Sequence, residues 1–119
     1  MELTDRTVVI TGAGSGIGRA IAERFAAEAP RALILADINE EAVRGVAESL
    51  GEVASALRVD VGHEQEVRAL VDRAREIAGP IDLFCSNAGV PGPGGGPEAS
   101  DEEWDRAWRI NVMAHVWAA

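Results

Sequence analysis

Four glycines alternate along Gly12-Ala13-Gly14-Ser15-Gly16-Ile17-Gly18, and the chemistry they permit is the close binding of a phosphate. Residues without a Cβ let the backbone turn sharply and approach a ligand. A β-branched run, Thr7-Val8-Val9-Ile10-Thr11, precedes the glycines, and a helical pattern with Ile17, Ile21 and Phe25 follows them. Strand, turn and helix aim free N–H groups and the positive end of the helix dipole at the space above the turn, which suits a diphosphate. Gly12, Ser15, Gly16, Ile17 and Gly18 are the expected cradle. The common dinucleotide spacing G-x-G-x-x-G is not met: counted from Gly12 its third glycine falls on Ile17, and counted from Gly14 it falls on Arg19. No Lys follows the glycines, so the nucleoside triphosphatase loop is not met either. The spacing present is T-G-x-x-x-G-x-G, at Thr11, Gly12, Gly16 and Gly18.

Further polar residues fall at the ends of apolar runs. Asp37 lies 19 positions after Gly18 and closes the run Ala32 to Ala36. An acid there can accept hydrogen bonds from the ribose hydroxyls of an adenosine, and it repels a 2′-phosphate. Ile38 follows it and Ser15 precedes Gly16, so no basic neighbour in the sequence offsets that charge, and the pattern favours NAD over NADP. A strand-end Asp also serves as a turn residue. Asp60, followed by Val61, closes a third run, and Asn87-Ala88-Gly89 closes a fourth. Asn111 sits mid-helix, where Asn competes with the backbone for hydrogen bonds. His63 and His115 have no metal-ligand spacing, and Cys85 reads as a buried strand residue.

The elements that must position these residues alternate. Strands are expected at 7–11, 32–36, 54–59 and 81–86. Helices are expected from Ser15–Ile17 onward, after Asn39 as cap with Val43, Val46, Ala47 and Leu50 inward and Gly51 as stop, and from Glu64 to Ala78 with Val67, Leu70, Val71, Ala74 and Ile77 inward. Val90 to Pro97 holds three prolines and four glycines and must be a loop. A last helix opens at Ser100, with Glu103 completing a capping box. It carries Trp104, Trp108, Asn111 and His115 on one face and Ile110, Met113, Ala114 and Trp117 on another, and the sequence ends within it. Strands alternating with helices through short connections predict an α/β fold: a Rossmann-type doubly wound parallel sheet, partial, with strand order 3-2-1-4. The fourth strand is then an apolar edge.

Composition narrows the partners. The chain has 119 residues, room for one domain, and a formal charge of −9, which argues against nucleic acid or an anionic membrane. One Cys excludes an internal disulfide and fits a reducing compartment. No signal-like stretch opens the chain and no apolar run approaches membrane-spanning length, so a cytoplasmic location is expected. All eleven basic residues are Arg, and there is no Lys and no Tyr.

Thr11 to Gly18, Asp37, Asn87 to Gly89 and Asn111 occur in order across nearly the whole chain and together resemble the short-chain dehydrogenase/reductase family. The resemblance implies an oxidoreductase that moves hydride between nicotinamide and an alcohol or carbonyl carbon, with NAD as cofactor. It places Asp60 and Val61 along the adenine ring. It has Asn87 steady the sheet while Ala88 and Gly89 leave room for a cofactor ribose. It makes Asn111 a catalytic-site residue whose backbone holds a water in a proton relay to an active-site Lys. In the family a Tyr exchanges the proton, its pKa lowered by that Lys, and a Ser holds the substrate oxygen. The Ser lies on the next strand and Tyr-x-x-x-Lys on the next helix, and none of the five Ser residues here holds that place. Residues 1–119 are therefore expected to be an NAD-binding domain truncated before that segment and inactive alone. The complete enzyme is expected to be a homo-oligomer acting on a small-molecule alcohol or ketone. Two other readings compete: a non-catalytic dinucleotide-binding module or partner subunit, and an S-adenosylmethionine-dependent methyltransferase, which the glycine spacing opposes. No residue selects a particular substrate.

Overall fold

The computed structural model describes all 119 residues. Four parallel strands, β1 (Thr7–Thr11), β2 (Ala32–Asp37), β3 (Ala54–Arg58) and β4 (Leu83–Cys85), form one sheet in the order β3-β2-β1-β4. Thr7 stands beside Ala32 and Thr11 beside Ala36, Leu33 beside Ala54, and Val8 beside Leu83. The strand order is the one expected, and it is part of a doubly wound sheet.

Helices cover both faces: α1 (Gly16–Ala26), α2 (Glu40–Leu50), α3 (Glu64–Ala78), α4 (Asp101–Trp108) and α5 (Ala114–Ala118). Alternation along the central strands divides the core. Val8, Ile10, Leu33 and Leu35 pack with Ala22, Val43 and Val46 of α1 and α2. Val9, Ile34 and Ala36 pack with Val67, Leu70, Ala74, Ile110 and Ala114 on the other face. Both central strands are thus buried on two sides, which is why they read as unbroken apolar runs.

The caps explain where the helices begin. The Asn39 side chain accepts the Ala42 N–H at 3.0 Å, and Gly51 ends α2 at φ +82°. Ser100 and Glu103 form the expected capping box at α4. Three expectations need correction. β4 is ladder-paired only over Leu83–Cys85, not over 81–86, because side chains take the bonds at both its ends. Asp82 Oδ2 accepts the Thr7 N–H at 2.9 Å, and Thr11 Oγ1 accepts the Asn87 and Ala88 N–H groups at 3.1 and 3.2 Å. The last helix runs on as expected but is not α throughout: residues Arg109–Met113 form a π turn between α4 and α5, in which the Ala114 N–H reaches back to the Arg109 carbonyl. Ile17 and Ile77, placed by periodicity on buried stripes, are exposed, Ile77 in the last turn of α3 and Ile17 for a reason that belongs to the site.

Candidate functional site

A cleft of about 370 Å³ opens where the carboxyl ends of the four strands meet. In a doubly wound sheet this is where ligands bind, at the switch point between strands whose connections run to opposite faces. The turn after β1 lies at its centre. Gly12 has φ +68° and a Cβ there would meet the Ala88 backbone at 2.9 Å. Gly16 has φ +53° and open space beside it. Both positions have a left-handed backbone that side-chain-bearing residues rarely adopt, and Gly12 in addition lacks room for a Cβ.

The first turn of α1 faces the cleft with its donors free. Ser15 has extended backbone geometry at the N-cap but its side chain makes no capping bond, and no acid lies in the first turn. The long helices α2 and α3 carry acids there, Glu40 and Glu41, and Glu64 and Glu66. An N-terminus with unsatisfied N–H groups beside a glycine turn suits an anion. Ile17 is exposed because it points from this turn toward the cleft instead of the core, and Ile38, also exposed, lines the same space.

Asp37 is tied down before any ligand arrives. Its Oδ2 accepts the Gly14 N–H at 2.9 Å and its Oδ1 accepts the Asn39 N–H at 2.9 Å. The turn role and the ligand role are compatible, since each carboxylate oxygen has a second lone pair. Asp60 is organised in the same way: Oδ1 accepts the Gly62 N–H at 2.9 Å, and Oδ2 lies 3.5 Å from His63 Nε2. Val61 follows it on the cleft wall.

The end of β4 is clasped to the glycine turn. Asn87 Nδ2 donates to the carbonyls of Thr11 and Gly12 at 3.1 and 3.4 Å. Ala88 and Gly89 line the cleft beside it. Asn111 lies behind them: its Oδ1 accepts the Val90 N–H and its Nδ2 donates to the Val90 carbonyl, both at 2.9 Å. One amide thus satisfies both backbone groups of Val90 and fastens the π turn to the chain leaving β4. Cys85, half-buried in β4, has its thiol pKa pushed up by burial, which keeps it protonated and poorly nucleophilic.

Of the twelve residues expected at a cofactor, eleven line this one cleft. Gly18 does not. It is buried beneath the turn, where a Cβ would stand 2.0 Å from the Gly12 carbonyl oxygen, and its role is close packing of α1 on β1. Asn111 also stays outside the lining. Four further residues line the cleft that sequence reasoning did not place there: Val59, Val90, Arg106 and Ile110. Val59 and Val90 adjoin residues already singled out. Arg106 and Ile110 come from a helix whose rotation only the packed structure determines.

The fold is part of a Rossmann-type, doubly wound α/β domain with its cleft at the carboxyl ends of the strands. The family model of the short chain dehydrogenases matches residues 6–119, and the chain belongs to that family. Among its relatives, 17-beta-hydroxysteroid dehydrogenase 13 of Mus musculus is 36% identical over 119 residues, covering 98% of this chain and 39% of the relative. A crystal structure of a short chain dehydrogenase/reductase from Burkholderia phymatum in complex with NAD superposes with a TM-score of 0.93 at 37% identity, covering 99% of this chain and 43% of that one. A 3-ketoacyl-(acyl-carrier-protein) reductase from Brucella melitensis complexed with NADH gives 0.90 at 32% identity, covering 98% and 48%. The chain therefore spans less than half the length of each of these proteins.

Proposed function

We propose that the chain forms the dinucleotide-binding part of an NAD-dependent oxidoreductase, which transfers hydride between nicotinamide and an alcohol or carbonyl carbon of a small molecule. The observation that carries this reading is the convergence of the glycine turn, the uncapped start of α1, Asp37 and the Asn87–Gly89 segment on one cleft. The residues present fit the group. Backbone N–H groups of the Gly12–Ile17 turn would hold the diphosphate, Asp37 the adenosine ribose, and Ala88 and Gly89 would leave space for the second ribose. When bound, the nicotinamide supplies the hydride chemistry. Asn87 and Thr11 keep the strand ends in register beneath it.

NAD in preference to NADP follows from Asp37, whose charge opposes a 2′-phosphate, and from Ile38, which offers no cation. The 119 residues include no Tyr and no Lys, so the proton-transfer pair of the family must be supplied by residues other than these. That composition also favours a second reading, a dinucleotide-binding module without catalysis of its own. Protein expressed from the whole open reading frame decides between the readings. The expected outcome is tighter binding of NAD than NADP in titration calorimetry, reversal of that order in the double variant Asp37→Ala/Ile38→Arg, and turnover of NAD with an alcohol or ketone panel. NADP binding more tightly to the wild type overturns the cofactor assignment, and NAD binding without turnover of any panel member moves the reading to the non-catalytic module.

A further inference from the structure

Nine of the eleven arginines sit in ion pairs with Asp or Glu, and Arg75 and Arg106 do not. Arg75 lies in the last turn of α3, outside the cleft lining. Arg106 lines the cleft and is its only Arg. Its helical neighbours Glu102 and Glu103 stand at the spacing of surface ion pairs, but Glu103 is turned back onto the Ser100 N–H and hydroxyl at 2.9 and 3.0 Å. An unpaired guanidinium therefore stands at the cleft wall of a chain with a net charge of −9.

The sheet order divides the cleft. The turn after β1 is central and suits the diphosphate, while β4 lies to one side and β2 and β3 to the other. With Asp37 on the adenosine ribose, the base must continue toward β3, over Ile38, Val59 and Val61. Ile110 closes that part: its Cγ1 stands 3.3 Å from where a Cβ on Gly62 would lie. Arg106 precedes Ile110 by one helical turn on the same face and lines the same cleft. A guanidinium is planar, weakly hydrated, and well suited to stacking on a flat π-face.

We propose that Arg106 lays its guanidinium on the adenine ring of the bound dinucleotide, across from the apolar surface of Ile38 and Val61, and so fixes the adenosine end of the ligand. The inference rests on the reading of the cleft as an NAD site. The diphosphate already has the backbone donors of α1, so the cation serves the base and not the phosphates.

The test uses protein expressed from the whole open reading frame and NAD dissociation constants for the wild type, Arg106→Leu, Arg106→Lys and Arg75→Leu. Arg106→Leu is expected to weaken NAD binding about three- to thirtyfold. Arg106→Lys keeps the charge without the plane and is expected to lose most of the same factor. Arg75→Leu makes the same change in net charge and is expected to bind as the wild type does. The ratio between wild type and Arg106→Leu is expected to persist from low salt to about 0.5 M, because a contact stack is not screened as a distant ion pair is. Unchanged affinity in Arg106→Leu, full rescue by Lys, or a ratio that collapses with salt overturns the proposal, the last two by making Arg106 a counter-ion. A wild type that does not bind NAD overturns the functional reading first and this inference with it, so the two failures are distinguishable.

Discussion

Gly16 and Gly18 stand two residues apart and answer to different demands. Gly16 borders open space with a left-handed backbone, and Gly18 is pressed against the Gly12 carbonyl. Gly16→Val should therefore keep the fold, at a strain cost of about 1–3 kcal/mol, and lose NAD binding because its methyl groups enter the diphosphate space. Gly18→Ala should do the reverse damage: a contact of 2.0 Å to backbone forces α1 off β1, at or above the roughly 1–3 kcal/mol typical of overpacking. Urea unfolding midpoints and NAD titrations on the two variants separate the roles, and equal loss of binding with equal stability in both would refute the division. The sequence displayed both glycines alike, since their spacing does not say which side of the turn each one faces. Arg106 was hidden for a related reason. No motif in the sequence marks it: which face of α4 meets the cleft is set by packing, and the Ser100–Glu103 contact that turns Glu103 away from it is a feature of the folded cap. Asp37 and Asn87, by contrast, were legible because each closes an apolar run, and a strand end in a parallel sheet leads to the cleft.

The first three strands, the cap at Asn39, the stop at Gly51 and the span of α3 were all legible from periodicity, because local propensity and burial agree there. β4 was not, because its hydrogen bonds depend on residues some 75 positions away: the Thr7 N–H goes to Asp82, and Asn87 and Ala88 go to Thr11. The π turn at Asn111 was illegible for the same kind of reason, since the Asn is held by Val90 across the molecule. Asp82 turns this into a pH dependence. The Thr7 N–H, and then Arg6 with its guanidinium at 2.9 Å, hold the Asp82 carboxyl below its ordinary value of 3.8. A native pKa lower than the unfolded one stabilises the fold in full above about pH 4, and the contribution is lost as pH falls through the lower native value. Asp82→Asn should thus unfold at a lower temperature than wild type at pH 7, and the two melting curves should converge as pH drops toward 2. A gap in melting temperature that stays constant from neutral to acid pH would show that the carboxylate's charge does not hold β4.

At the scale of the whole molecule, the surface is larger than that of a compact globule of this mass. The accessible area is 6877 Å². A compact monomer of 12.5 kDa is expected to expose about 6,200 Å². The radius of gyration is 14.6 Å against about 13.5 Å for a compact domain of this length. The excess, roughly 700 Å², is close to the ~800 Å² that each partner contributes to a standard interface. Its location is visible. β4 has β1 as its one neighbour in the sheet, so its outer edge lacks ladder partners. On the last helices Trp104, Trp108 and Val116 are 49%, 58% and 59% exposed, while Trp117 packs against the core beside Ala114. An unpaired edge and large exposed apolar side chains favour association over a free monomer. The 119-residue chain, expressed alone, should therefore sediment above monomer mass at tens of micromolar, and Trp104→Glu/Trp108→Glu should shift it toward the monomer. It should also fail to oxidise alcohols or reduce ketones with NAD(H). General acid–base catalysis contributes about 10²–10⁴-fold, and the one imidazole beside the cleft, that of His63, stands next to Asp60 at the β3 end, away from the Asn87–Gly89 side proposed for the nicotinamide ribose. A monodisperse monomer with cooperative unfolding would refute the association, and measurable NAD-dependent turnover by these residues alone would place the proton transfer on a group within them.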